Sequence, residues 1–321
     1  MPGPPAPARV SGMSAPLGLR RAVPWRARWA GASPAYHALT VVPVLLLVGL
    51  FTLFPFGYAA VISTRRVLLT LPGRTPFIGL RNYVQVLHDS TTHVAIQNTL
   101  LFAALTVPSV ILVGFLVALL LHQPIRGFGI LRALVLLPWS IPLVSAGIIW
   151  RLLLHGDFGA LNGLLYQLGV VHSYVPWLSS PRLAMRAVAV AHVWREFPLP
   201  AILILAGLQV IPRNVVEAAT VEGAGAWARF WHILLPWLRG PLLIILVYET
   251  MISVSVFDLV YVLTGGGPGS ATVLFSWYTY ASTFTFLNLG HGAALSFIMA
   301  GAMVAFIALY LRLIRVEARE A

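Results

Sequence analysis

The sequence predicts an all-α integral membrane protein with six transmembrane helices and both termini in the cytoplasm. Three observations predict it. Charged residues make up only 9% of the 321, hydrophobic residues 59%, and mean hydropathy is +0.87. A soluble globular chain carries about 25% charged residues, so the solvent for most of this chain is lipid. Six apolar runs cover 37–63, 94–122, 131–154, 187–209, 238–263 and 291–312, each at or above the ~20 residues that cross a bilayer. The basic residues, all 21 of them arginine, sit mostly at the ends of these runs. With the N-terminus inside, thirteen arginines fall in inside segments and seven outside, which favours that orientation.

Residues 1–35 are rich in Pro, Ala, Gly and Arg. Such a tail cannot bury a core and is expected to be a disordered cytoplasmic segment. The apolar run that follows is too long for a cleavable signal. Its Pro43 and Pro55 are tolerable in a spanning helix whose neighbours satisfy the freed carbonyls. In the third run, Pro138 and Pro142 predict kinks that shape the bundle. In the fourth, His192, Trp194, Arg195 and Glu196 precede Pro198 and Pro200. Ionisable groups within a span are costly and face a cavity or a partner, and helices broken by proline often line transporter sites. Arg195 and Glu196 are sequence neighbours, so each is expected to need a partner on another element. Tyr248 and Glu249 raise the same question in the fifth run. Trp194, Arg195, Glu196, Tyr248 and Glu249 are therefore candidates for lining a solute path, against a structural role in fixing helix register. Asn98 is a weaker candidate. The aromatic run 277–286 reads as a belt or a packed outer loop.

Between the fourth and fifth runs lies EAATVEGAGAWARFWHILLP, residues 217–236, the polar insert of an oily chain. Asn214 and Glu217 have the spacing of a capping box. Gly223 and Gly225 predict an elbow, and 226–235 a second short helix carrying Trp227, Phe230, Trp231 and Leu234. Pro236 marks the start of the next span. From these residues alone the insert is either an interfacial connector or a docking surface for a soluble partner.

The chain has no cysteine, so no disulfide or thiolate metal site. It has no phosphate-binding loop, HExxH or GxSxG. The arginine placement gives no reason to expect nucleic acid. A self-sufficient secondary transporter would show half repeats and more midplane charge. A membrane enzyme would need a catalytic cluster, and the nine acids are scattered.

The insert carries Glu217, Ala218, Ala219, three residues, Gly223, nine residues, Ile233, x, Leu235, Pro236. This resembles the EAA loop of the membrane subunits of ATP-binding-cassette importers. FIGLRNY (77–83), LPWSIP (137–142) with IIWR (148–151), and FDLVYVLTGGGP (257–268) are similar to the carbohydrate branch of that family, in particular its maltose-type first permease. Glu222 departs from the Asp that is commoner before the glycine. The resemblance covers 36–316, with the shared core over 94–312, a coupling loop over 212–237 and a cytoplasmic C-terminus at 317–321. It implies a type I importer transmembrane fold in a bacterial cell membrane, without covalent chemistry or cofactor in this chain. It also implies a dimeric ATP-binding subunit that holds ATP and Mg, a second permease forming a heterodimer, and an extracytoplasmic substrate-binding protein. Glu217 would pair with a basic residue of the ATPase. The outer loops TGGGPGSAT and HGDFGALNG are candidate contacts for the binding protein.

Overall fold

The computed structural model describes residues 3, 34–71, 73–123 and 128–320. The expected tail, apart from Gly3 and its last two residues, lies outside them. The chain divides into two units, 1–57 and 58–321. In the first, helix α1 (Pro34–Val48) passes through a π turn, Gly49–Leu53, into α2 (Phe54–Ser63), which crosses the unit boundary. The resulting span, Val41–Ser63, is apolar, and its most hydropathic window has no residue buried.

In the second unit a bridged loop leads to α3 (Arg81–His88). Arg65 bridges Phe77, and Leu68 bridges Asn288, both antiparallel. Asp89 then caps the long helix α4 (Ser90–His122), accepting from the N–H groups of Thr91 and Thr92 at 3.2 and 3.1 Å. Burial pushes this carboxyl up, but the hydroxyls of Tyr278 and Thr92 and those N–H groups outweigh it and hold it below the usual range.

The third apolar run is broken where its prolines predict, into α5 (Phe128–Val135), α6 (Leu137–Ser140) and α7 (Leu143–Leu153). After the loop helix α8 (Ala160–Gln167) come α9 (Pro181–Glu196) and α10 (Pro198–Val210), bent by 43°. Next are α11 (Arg213–Val221) and α12 (Ala226–Arg229). A π turn, Phe230–Leu234, carries α12 into α13 (Leu235–Ser255). The fifth span thus starts earlier than expected and ends at Ser255. Asp258 opens a separate helix, α14 (Asp258–Leu263), which packs on α7. The aromatic run forms α15 (Phe275–Tyr280) and a π turn, Ala281–Thr285, before α16 (Leu289–Glu320). The described part of the expected C-terminal segment is helical.

Among the described residues four helices are long and apolar enough to cross a membrane, Val41–Ser63, Ser90–His122, Ala226–Ser255 and Leu289–Arg312. The α9–α10 pair qualifies as a fifth when taken together. The centre of this second unit is α4, packed against α9, α10, α13 and α15. Glycine allows the closest approach: a Cβ at Gly114 would lie 2.8 Å from the Cβ of Pro200 on α10. Near its N-terminal end α4 holds the glycine-rich loop. Asn98 donates to the carbonyls of Ser270 and Val273 at 2.8 and 3.1 Å, and the Thr99 hydroxyl accepts the first N–H of α15 at 2.8 Å. Asn98 is therefore a loop clamp in this structure. The loop around 155–177 is pinned by buried Asn162, bonded to the backbone of His155, Gly156 and Val175 and to the Trp177 indole.

Candidate functional site

The insert folds as an elbow. α11 ends in a complete Schellman motif, with Ala224 N–H donating to Ala219 O at 2.9 Å and Gly223 N–H to Thr220 O at 3.1 Å. Gly223 supplies the left-handed residue, φ +85°. The start of α11 differs from expectation. Pro212 is the N-cap, Asn214 lies inside the first turn, and no side chain caps the helix. Proline at the boundary already fixes φ and starts the helix two residues too early for a capping box, so Glu217 does not cap it and stays exposed.

The second arm is also different. There is no break at Pro236: the π turn Phe230–Leu234 runs directly into α13, whose first turn holds the proline. Phe230 packs edge-on against Phe115 of α4 with centroids 5.7 Å apart, and stacks with Trp227 at 5.9 Å. Arg229 ties the arms together by donating to the Thr220 hydroxyl at 2.9 Å. Of the expected coupling residues, Glu217, Ala218 and Gly223 are exposed, and Ala219, Ile233, Leu235 and Pro236 are half-buried. Glu217 also borders a cavity of about 660 Å³ with Arg213, His122 and Gln209. The elbow therefore presents an acid on a small-residue ledge, and Phe230 and Leu234 pack its second arm against the bundle.

The second candidate site lies at the α9–α10 bend. Arg195 pairs directly with Glu196, against the expectation that each needs a distant partner. The neighbour rule applies to Cβ positions, and the arginine stem is long enough to fold back along its own helix. The pair stays within electrostatic range of Glu249 and Tyr248 on α13. Glu196 and Glu249 are fully buried, and neither Glu249 oxygen nor Glu196 Oε2 has a hydrogen-bond partner among the described residues. Trp194, Arg195 and Tyr248 are half-buried. Trp194 meets Trp150 edge-on at 5.8 Å, and Trp139 of α6 lies beside the Tyr248 hydroxyl. So all five residues gather at one place, the two acids behind and the aromatic and cationic groups in front. Trp139 and Trp150 belong to it as well. Both sat in motifs already singled out, LPWSIP and IIWR, and only the fold shows what they face. Behind the acids, buried His192 meets Ser253 at 3.4 Å, and Ser253 meets Thr106 at 3.0 Å. Among the described residues no group of three or more His, Asp or Glu side chains could hold a metal ion.

Residues 110–319 match the family model of the binding-protein-dependent transport system inner membrane component. The chain belongs to that family. This permease is therefore a multi-pass membrane subunit of an ATP-driven importer, a transport component and not an enzyme. The permease is 35% identical over 279 residues to the sulfoquinovosyl glycerol transport system permease protein of Agrobacterium fabrum, covering 87% of this chain and 90% of the relative. It is 37% identical over 277 residues to the trehalose/maltose transport system permease protein of Thermococcus litoralis, covering 85% and 92%. The permease shares its fold with a chain of a bacterial transporter that imports the acidic polysaccharide alginate. That match has a TM-score of 0.75 at 20% identity, over 86% of this chain and 94% of that one. A second structure of the alginate transporter, in complex with its pentasaccharide-bound periplasmic protein, matches with a TM-score of 0.73.

Proposed function

We propose that this permease moves a sugar. It would form one half of the translocation path beside a second permease, receive substrate from an extracytoplasmic binding protein, and be driven by a dimeric ATP-binding subunit that holds ATP and Mg. The observation that carries the sugar reading is the α9–α10 bend. There the half-buried Trp194, Arg195 and Tyr248, with Trp139, offer aromatic faces and planar polar groups from opposite helices. Full-length relatives whose names specify sugar transport support it. The coupling surface is Glu217, Ala218, Ala219 and Gly223, with Ile233, Leu235 and Pro236 in the second arm. A phosphorylated substrate such as a glycerol phosphate is disfavoured, because Arg195 is already neutralised by Glu196. Reconstituting the four components in proteoliposomes tests the reading. ATP-dependent uptake of labelled trehalose or maltose is expected, with none of glycerol 3-phosphate. Uptake of the latter alone would overturn the sugar assignment.

We further propose six spans, 36–316 as the transmembrane domain, and cytoplasmic termini flanked by the segments 1–35 and 317–321. The third span would be the broken α5–α7 set. A chain without cysteine makes the check direct. Single cysteines at Ser270 and Thr220 should label with an impermeant maleimide from opposite sides of right-side-out vesicles. Labelling of both from one side contradicts this topology.

A further inference from the structure

The FIGLRNY stretch builds a groove at the end of the bundle opposite the coupling loop. α4 connects the two ends, running from Asp89 at the groove to His122 beside the Glu217 cavity, about 50 Å at 1.5 Å per residue. Two cavities adjoin there, of about 370 and 310 Å³, and both have Gln85 and Asn288 in their walls. Each is of the size that holds a small ligand.

We infer that this groove is a saccharide subsite, formed by Gln85, Asn288, Arg66 and Arg81 around a floor at Ser282 and a rim at Phe286. The inference rests on the sugar reading and adds a second place where the substrate is held. Three observations carry it. First, the walls are rigid. Buried Asn82 donates to the carbonyls of Ser63 and Arg65 at 2.7 and 2.8 Å. Gly290 permits this packing, since a Cβ there would collide with the Arg65 carbonyl oxygen. Second, the rim is strained. Among the described residues Leu287 is the one non-glycine with positive φ, +57°, a costly conformation for a bulky side chain and one that clusters at ligand sites. It sits between Phe286, 60% exposed, and Asn288. Third, polar groups are left free. The side-chain N–H groups of Arg66, Arg81, Gln85 and Asn288 have no partner among the described residues, and the buried Ser282 hydroxyl lies beside that of Tyr278. Asn288 uses only its oxygen, accepting from His291 N–H at 3.2 Å. Planar amides and guanidinium forks beside an aromatic face suit the vicinal hydroxyls and C–H face of a sugar ring. A docked peptide would have more use for an apolar pocket, and these walls are mostly polar.

The test uses the assembled importer in lipid nanodiscs without binding protein, with maltose and trehalose as probes in saturation-transfer NMR. Gln85→Ala with Asn288→Asp removes donors while keeping an acceptor for His291 N–H. It is expected to weaken the apparent affinity for the probe about tenfold, the loss of hydrogen bonds from two side chains. Trp194→Ala should leave the groove signal in place. No transfer from either probe, or equal transfer in the double variant, overturns the inference. So does loss of signal with Trp194→Ala alone. If the double variant instead loses capture of the binding protein with saccharide transfer unchanged, the groove is a protein contact and the inference also falls. ATP-dependent uptake with binding protein, measured on the same complex in proteoliposomes, separates the two readings: uptake without a groove signal defeats only this one.

Discussion

Glu217→Lys is expected to abolish uptake, by at least about 100-fold, while the protein still inserts and resists heat like the native chain. Glu217 is exposed and its side chain makes no hydrogen bond among the described residues, so reversing it costs the fold little. Its effect falls on whatever docks there, because a like charge facing a basic partner costs several kcal/mol. Gly223→Pro should act by a different route. Proline locks φ near −65°, against +85° here, and removes the N–H that donates to Thr220 O. The elbow then opens, and the ledge of Ala218 and Ala219 turns away from the partner. The measurement is binding-protein-stimulated ATPase activity and sugar uptake in proteoliposomes, with membrane content read by immunoblot. Normal uptake by either variant would sink the coupling role.

The second large effect concerns Arg195. Arg195→Ala strips from buried Glu196 its one ionic partner among the described residues, and removes the cation that acts on nearby Glu249. Breaking a buried pair by removing one partner costs about 3–5 kcal/mol, so the melting temperature in detergent should drop by several degrees. The informative comparison is the double replacement Arg195→Met with Glu196→Gln. Exchanging a buried pair for groups of similar volume is often neutral, so the fold should recover. Uptake should stay at background, because Arg195 is the member of the pair that reaches the half-exposed face. Normal transport by the double variant would make the pair a packing device only.

How much of this was legible depends on the range of the interaction involved. Spans near 94–122 and 291–312 are long uninterrupted apolar runs, and they fold within a few residues of where the pattern puts them. The breaks at Pro138, Pro142, Pro198 and Pro200 were readable because proline acts on its own helix. The Gly223 elbow was readable for the same reason. The cap of α11 was misjudged because two local signals competed, and Pro212 prevailed over the Asn214–Glu217 spacing. The Arg195–Glu196 pair was misjudged because a rule about helix faces ignores side-chain length. The continuity of α12 into α13 escaped because nothing in the sequence marks a π turn. Least legible was the polar groove. Its residues come from 66, 81–85 and 282–288, and only the bridge between Leu68 and Asn288 brings them together.

One consequence of the π turn at Phe230–Leu234 reaches beyond the loop. Because α12 and α13 form one helix of 30 residues, Trp227 and Glu249 ride on the same rod. They are 22 residues apart in sequence, about 33 Å at 1.5 Å per residue. The elbow and the residues Tyr248 and Glu249 are thus joined by one continuous helix, with no loop between them.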